Sequence, residues 1–209
     1  MATIQGQSGP QVISDGVNTT VRTGRSGELN TSDAHGRYQE AVYRGNAYSL
    51  SVAAAAPTGF VGAAGGTPLL AIYNPANSGK HLVLLQAFCG IAVTAGTAGT
   101  GVLQLWAGPS VLPTGTLVTP VNQLSLTATG SVAKGVSNAA MTSSTAITNN
   151  YPLETYYWAT AAGNFLAPGQ FDIAGAIVVA PGNLCAFGLS VVPTSTTVSA
   201  ALIWEEILV

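Results

Sequence analysis

Thr197-Val198-Ser199-Ala200-Ala201-Leu202-Ile203-Trp204 steps in twos. Val198, Ala200, Leu202 and Trp204 fall on one side, Thr197, Ser199, Ala201 and Ile203 on the other. An extended strand puts alternate residues on opposite faces, so this stretch reads as a strand with one face in a core. Working back, residues 184–192 and the long run Lys80–Val93 are further strands, the latter apolar on both faces except at Gln86. Shorter apolar runs occupy 68–73 and 102–106, and 174–179 is also apolar. Residues 47–60 read as a weak strand running into a small-residue linker. Asn74-Pro75-Ala76-Asn77-Ser78-Gly79 and Ala180-Pro181-Gly182-Asn183 are turn clusters, and residues 193–196 turn the chain once more. Residues 108–150 predict short strands and irregular structure with a polar loop over 137–150. Residues 151–160 are aromatic.

Many short strands broken by turns, with almost no helix, predict a β-sandwich or barrel. Strands apolar on both faces predict a sandwich whose outer face is also covered, as at a subunit interface. The expectation is an all-β, jelly-roll-like β-sandwich over 47–209, preceded by an extended N-terminal arm over 1–46. One short helix is expected in that arm, over about 32–44. Thr31 or Ser32 can cap it, Asp33 suits its first turn, and Gly45-Asn46 can end it. Asp33 with Arg37, and Glu40 with Arg44, are four apart with the acid first, the favourable order. Tyr38, Ala41 and Val42 share a face. A helix this short is marginal alone in water, so it is expected to dock.

Charge divides the chain in the same place. Six basic and eight acidic residues give a net charge of −2. Asp15, Arg22, Arg25, Glu28, Asp33, Arg37, Glu40 and Arg44 all lie in the first 44 positions, leaving six charges for the remainder. Charged residues make up 7% of the chain, against about 25% in an ordinary soluble domain. Such a surface suits a body covered by copies of itself or by a larger assembly. The few basic residues make no stripe that could neutralise phosphates, so nucleic acid is not an expected partner. No segment has the roughly 20 apolar residues of a membrane helix, and no membrane partner is expected. The first nine residues lack the basic and apolar regions of a signal peptide. Synthesis and folding in a reducing cytoplasm are therefore expected.

Neither catalytic nor metal chemistry is expected. His35 and His81 stand outside any nucleophile motif and read as surface or interface residues. Glu205 and Glu206 are adjacent, so a strand sends them to opposite faces; Glu154 and Asp172 have nothing in the sequence to bring them together. Cys89 and Cys185 lie in apolar runs without a second ligand at metal spacing and read as buried free thiols, although a disulfide between them is open. Gly96-Thr97-Ala98-Gly99-Thr100-Gly101 lacks a following lysine and precedes a strand, so it reads as a flexible connection rather than a phosphate cradle. No cofactor is implied. Tyr156, Tyr157 and Trp158 form either core and interface or a platform for stacking on glycans. Alternation puts Tyr156 and Trp158 on one face and Tyr157 on the other.

Four stretches carry a resemblance. They are Pro68-Leu69-Leu70-Ala71-Ile72-Tyr73-Asn74-Pro75 running on through Ser78-Gly79-Lys80, Val179-Ala180-Pro181-Gly182, Ile203-Trp204-Glu205-Glu206, and Ser32-Asp33-Ala34-His35-Gly36-Arg37-Tyr38. Together they resemble virion structural proteins of tailed bacteriophages, of the small jelly-roll type that decorates or cements capsids. The likeness spans most of the chain and rests on turn and strand patterns. It implies a homotrimer on the capsid exterior, made in the host bacterial cytoplasm, whose arm reaches over the major capsid protein. Arg22, Arg25, Arg37, Tyr38, Tyr43 and Arg44 would then be the docking residues, arginine pairing with capsid carboxylates. The alternative expectation is a phage tail, fibre or vertex component that binds glycans or a receptor through Tyr156, Tyr157 and Trp158.

Overall fold

A computed structural model describes residues 36–63, 66–93, 98–111, 117–137, 147–158, 165–192 and 195–209. Residues Glu40–Val209 form one compact unit; of the other, Met1–Gln39, residues 36–39 are described. The described elements are one helix, α1 (Gln39–Tyr43), and twelve strands. These are β1 (Ala47–Ala55), β2 (Leu70–Tyr73), β3 (Lys80–Val93), β4 (Gly99–Pro109), β5 (Leu117–Val118) and β6 (Val121–Asn122). Then come β7 (Lys134–Ser137), β8 (Asn149–Trp158), β9 (Phe165–Asp172), β10 (Val178–Val179), β11 (Asn183–Leu189) and β12 (Thr196–Leu208).

The strands form two six-stranded antiparallel sheets, an all-β sandwich. The first runs β10-β3-β12-β1-β6, with β9 following β10 along the same edge of β3; the second runs β5-β7-β2-β11-β4-β8. The long pairings are nested: β1 pairs with β12, β2 with β11, β3 with β9 and β4 with β8. The ends of the chain segment therefore meet first and its middle strands last, an arrangement dominated by contacts distant in sequence. Such topologies fold slowly.

β12 alternates as its sequence predicts. Thr196, Val198, Ala200, Leu202, Trp204 and Glu206 are buried, while the residues between them are open to varying degrees. Trp204 is fully buried and stacks on Tyr48 with centroids 6.4 Å apart. Leu82, Leu84, Leu103, Leu105, Phe187 and Leu202 complete the centre of the core between the sheets.

The second sheet also carries an apolar outer face, and the chain covers it itself. Along β11 every residue from Leu184 to Leu189 is buried. Leu184 and Ala186 pack outward with Ala71, Tyr73, Val136, Ile147 and Phe60. Phe60, in the β1–β2 connection, is held there by its N–H to the Leu189 carbonyl (2.8 Å) and by Gln104 Nε2 to its carbonyl (2.8 Å). Gly188 leaves the room: a Cβ there would lie 2.9 Å from the Phe60 side chain. The expected subunit cover over doubly apolar strands is thus, for β11, an intramolecular one.

Three of the stretches that carry the resemblance meet in this fold. Asn74 is fully buried, its Nδ2 donating to the carbonyls of Lys80 and Val179 at 2.8 Å each. Its backbone exchanges hydrogen bonds with Gly182 and Asn183. Lys80 Nζ reaches Glu206 Oε2 at 3.0 Å. These motifs are the fastenings of one end of the sandwich.

The helix is shorter than expected. Gly36 and Gln39 open it reciprocally, Gln39 N–H to the Gly36 carbonyl and Gly36 N–H to Gln39 Oε1, the logic of a capping box. It closes at Gly45 and Asn46, as the sequence predicts: Gly45, at φ 71°, donates to Val42 and Asn46 donates to Ala41. That paired return is a Schellman motif, which requires the left-handed conformation glycine adopts freely. Glu40 and Arg44 form the expected exposed pair at 2.9 Å, worth about 0.3–0.5 kcal/mol. The expected caps Thr31 and Ser32, and the Asp33–Arg37 pair, fall outside the described residues.

Two further readings change. The 96–101 connection is shorter, because Gly99, Thr100 and Gly101 belong to β4 and pair with Trp158, Tyr157 and Tyr156. Gly101 is there for the tyrosine, since a Cβ would lie 2.5 Å from Tyr156 Oη. β9, over residues the sequence reading left unassigned, was not anticipated; Pro168 and Gly169 stand in its middle, and an edge strand tolerates both.

Candidate functional site

Glu206 is 2% exposed. Its carboxylate accepts from Lys80 Nζ (3.0 Å), Ser131 Oγ (2.6 Å) and the Val132 N–H (3.0 Å). A buried carboxylate is tolerated when its lone pairs are filled in this way, and here it fastens the 131–132 segment to the last strand. Glu205 lies on the opposite face of β12. Glu154 stands beside Gly169, whereas Asp172 pairs with Gln86 at the other end of the β3–β9 ladder. His81 is partly buried; His35 lies outside the described residues. Among the described residues no three His, Cys, Asp or Glu side chains gather as metal ligands would.

Cys89 and Cys185 are both buried free thiols. Burial pushes each up to about 12, and for Cys89 the nearby negative charge of Glu154 adds to the effect. A thiol held protonated this far above neutral pH is a poor nucleophile. Tyr156 is pushed up as well, first by burial and then by Cys89; its hydroxyl donates to the Val191 carbonyl at 2.6 Å.

The aromatic cluster is divided. Tyr156 is 4% exposed and faces the core beside Gly101, while Tyr157 is 66% exposed on the other face of β8. The side chain of Trp158 lies outside what is described. Tyr156 and Tyr157 therefore offer no common surface for a sugar ring.

Of the docking residues expected in the arm, four are described. The Arg37 guanidinium lies over the Tyr38 ring, 5.5 Å from its centroid, a cation–π arrangement. Arg44 pairs with Glu40, and Tyr43 is 60% exposed. Arg22 and Arg25 lie outside the described residues.

The surface that sequence reading did not localise is the outer face of the first sheet. Register places Gln170, Phe88, Ala201 and Ser51 in one outward row across β9, β3, β12 and β1. Gly90 and Ser199 stand in the next row, Ala92 and Thr197 beyond, and Gln86, Ile203 and Ser49 on the other side. None of these carries a charge; the charges on this face stand at its margins, exposed Asp172 beside Gln86 at the end of β9 and Glu205 further along β12. Ser51, Gln170, Thr197 and Ser199 are exposed. Because Gly90, Ser199, Ala201 and Ser51 are small, the centre sinks into an open depression of about 670 Å³, walled by Phe88 and Gln170. The signal was legible as small uncharged residues at the off-core positions of β12; what was missing was which strands lie beside it.

Among the described residues no helix is long and apolar enough to cross a membrane. Compared with protein-family models, curated proteins and solved structures, the chain matches none.

Proposed function

We propose that this chain is a non-enzymatic virion structural protein that decorates and cements a tailed-phage capsid, clamping adjacent subunits of the major capsid protein. The observation that carries this reading is the bare outer face of the first sheet, uncharged across its centre with Asp172 and Glu205 at its margins, on a chain whose charges are concentrated before residue 45. A free soluble domain solvates such a face with charge; a lattice component covers it. The nested strand order supports a jelly roll, taking the long strands β1, β2, β3, β4, β8, β9, β11 and β12 as its eight. Their sheets then run first-eighth-third-sixth and second-seventh-fourth-fifth. Jelly rolls serve in viral capsids and in lectins alike, so the fold by itself selects neither function. The division of Tyr156 from Tyr157 weighs against the glycan platform.

In this reading the sandwich self-associates, with the homotrimer as the state the resemblance implies, and the arm carries the contacts to the capsid protein. Buried area added between subunits then resists the pressure of packaged DNA. Removing residues 1–35 and changing Arg37, Tyr38, Tyr43 and Arg44 to Ala takes away every expected docking residue while retaining α1 and the sandwich. The truncated protein is expected to keep its melting temperature and to lose binding to undecorated capsids in co-sedimentation. Binding at wild-type level would overturn the arm's role.

A further inference from the structure

We infer that the outer face of the first sheet, uncharged at its centre, is a self-association face, on which two copies pack as Phe88 of each fills the depression over Gly90 of the other. The inference deepens the assembly reading above by naming the face and the partner, and it rests on that reading only in taking the face to be covered in use.

The face is self-complementary. Phe88 and Gly90 are successive outward positions of β3, so a ring and a gap stand about 6.6 Å apart along one strand. A two-fold axis lying in the interface plane and crossing β3 at Cys89 exchanges them. It lays Phe88 of one copy over Gly90 of its partner and the reverse, the reciprocity an isologous contact requires. Ser199 and Ala201 flank the gap on β12, and Gln170 stands at the rim on β9. A Cβ at Gly90 would meet nothing within 4 Å, so the space over it is open in the single chain.

Size and chemistry agree with a second copy. The face spans four strands and the eight-residue β3–β9 ladder, roughly 20 Å by 26 Å at ordinary strand spacing and rise. That is roughly 500 Å² per copy, so a pair buries about 1,000 Å², the lower bound for a specific interface. The centres of the two faces are uncharged, and Asp172, at one corner of the ladder, falls at the opposite end from its copy, so no like charges are opposed. An interface this small is weak and gains from repetition on a lattice. The contact is two-fold, joining copies in pairs, whether single chains or trimers.

Sedimentation velocity on the full chain, over about 1 to 200 µM, tests this with Gly90→Val and Phe88→Ala. Wild type is expected to show concentration-dependent association into even-numbered species. Gly90→Val fills the gap from within, and valine suits a strand, so its melting temperature is expected to hold or rise. Its Kd for association is expected to weaken at least tenfold. Phe88→Ala is expected to weaken it similarly. A wild type monomeric throughout the range overturns the inference, as does a trimer indifferent to Gly90→Val. Loss of capsid binding by Gly90→Val with solution association unchanged would assign the face to the capsid protein instead. Abundance on virions is read separately, so either result leaves the capsid reading to stand or fall by itself.

Discussion

The two sheets of this sandwich differ most on their outer faces. The second sheet's outer face is apolar and is closed by the chain's own β1–β2 connection, with Phe60 set against Leu184, Ala186 and Gly188. The first sheet's outer face is small-residue, uncharged at its centre and open around Phe88, Gly90 and Ser199. Both are short of charge, yet one is covered within the monomer and the other is open in the single chain. Low charge alone therefore does not mark an interface; the distinction is whether the same chain supplies the cover.

The largest effect that separates the faces is expected at Phe60. Phe60→Ala removes a side chain 1% exposed and should cost about 3–5 kcal/mol in urea denaturation; a loss under about 1 kcal/mol would mean that the connection is not a true cover. Glu206→Ala comes next. It leaves the Val132 N–H and Ser131 without an acceptor, and Lys80, whose side chain is 23% exposed, turns to solvent. A loss of about 2–3 kcal/mol is expected, measured in the same way, and an unchanged midpoint would refute the fastening.

The buried thiols sharpen the comparison through pH. In the folded chain Cys89 and Cys185 stay protonated until about 12, against an ordinary value of 9.0. Above pH 9 the unfolded chain binds fewer protons than the folded one, so stability falls as pH rises from 9 towards 12. The slope is at most about 1.4 kcal/mol per pH unit for each thiol. Urea midpoints of wild type and Cys185→Ala across that window should converge as pH rises; parallel curves would contradict the burial of this thiol. The smallest effect belongs to the bare face. Thr197→Lys should shift monomer stability by no more than about 0.5 kcal/mol in thermal melts, far below the loss expected for Phe60→Ala on the covered face. A comparable penalty at both positions would erase the distinction.

Much of the sandwich was legible because its strands announce themselves. β3 runs over the residues its apolar run predicts, and the alternation in β12 marks the buried side one residue at a time. β9 was hidden by Pro168 and Gly169, which sequence rules treat as breakers although an edge position accepts them. The cover over the second sheet was hidden because Phe60 is one aromatic in a glycine- and alanine-rich linker, and only the register of β11 shows what it meets. Three of the four motifs that carry the phage resemblance proved to be structural fastenings, Asn74 between two turns and Glu206 on Lys80. The candidate surface was legible in composition but not in place, since adjacency of β1, β3, β9 and β12 depends on pairings across more than seventy residues.

The most direct measurement is the copy number of this chain in purified source particles, by quantitative mass spectrometry against the major capsid protein. Cementing of the lattice predicts a count that scales with that of the capsid protein. A handful of copies per particle, or none, would contradict it.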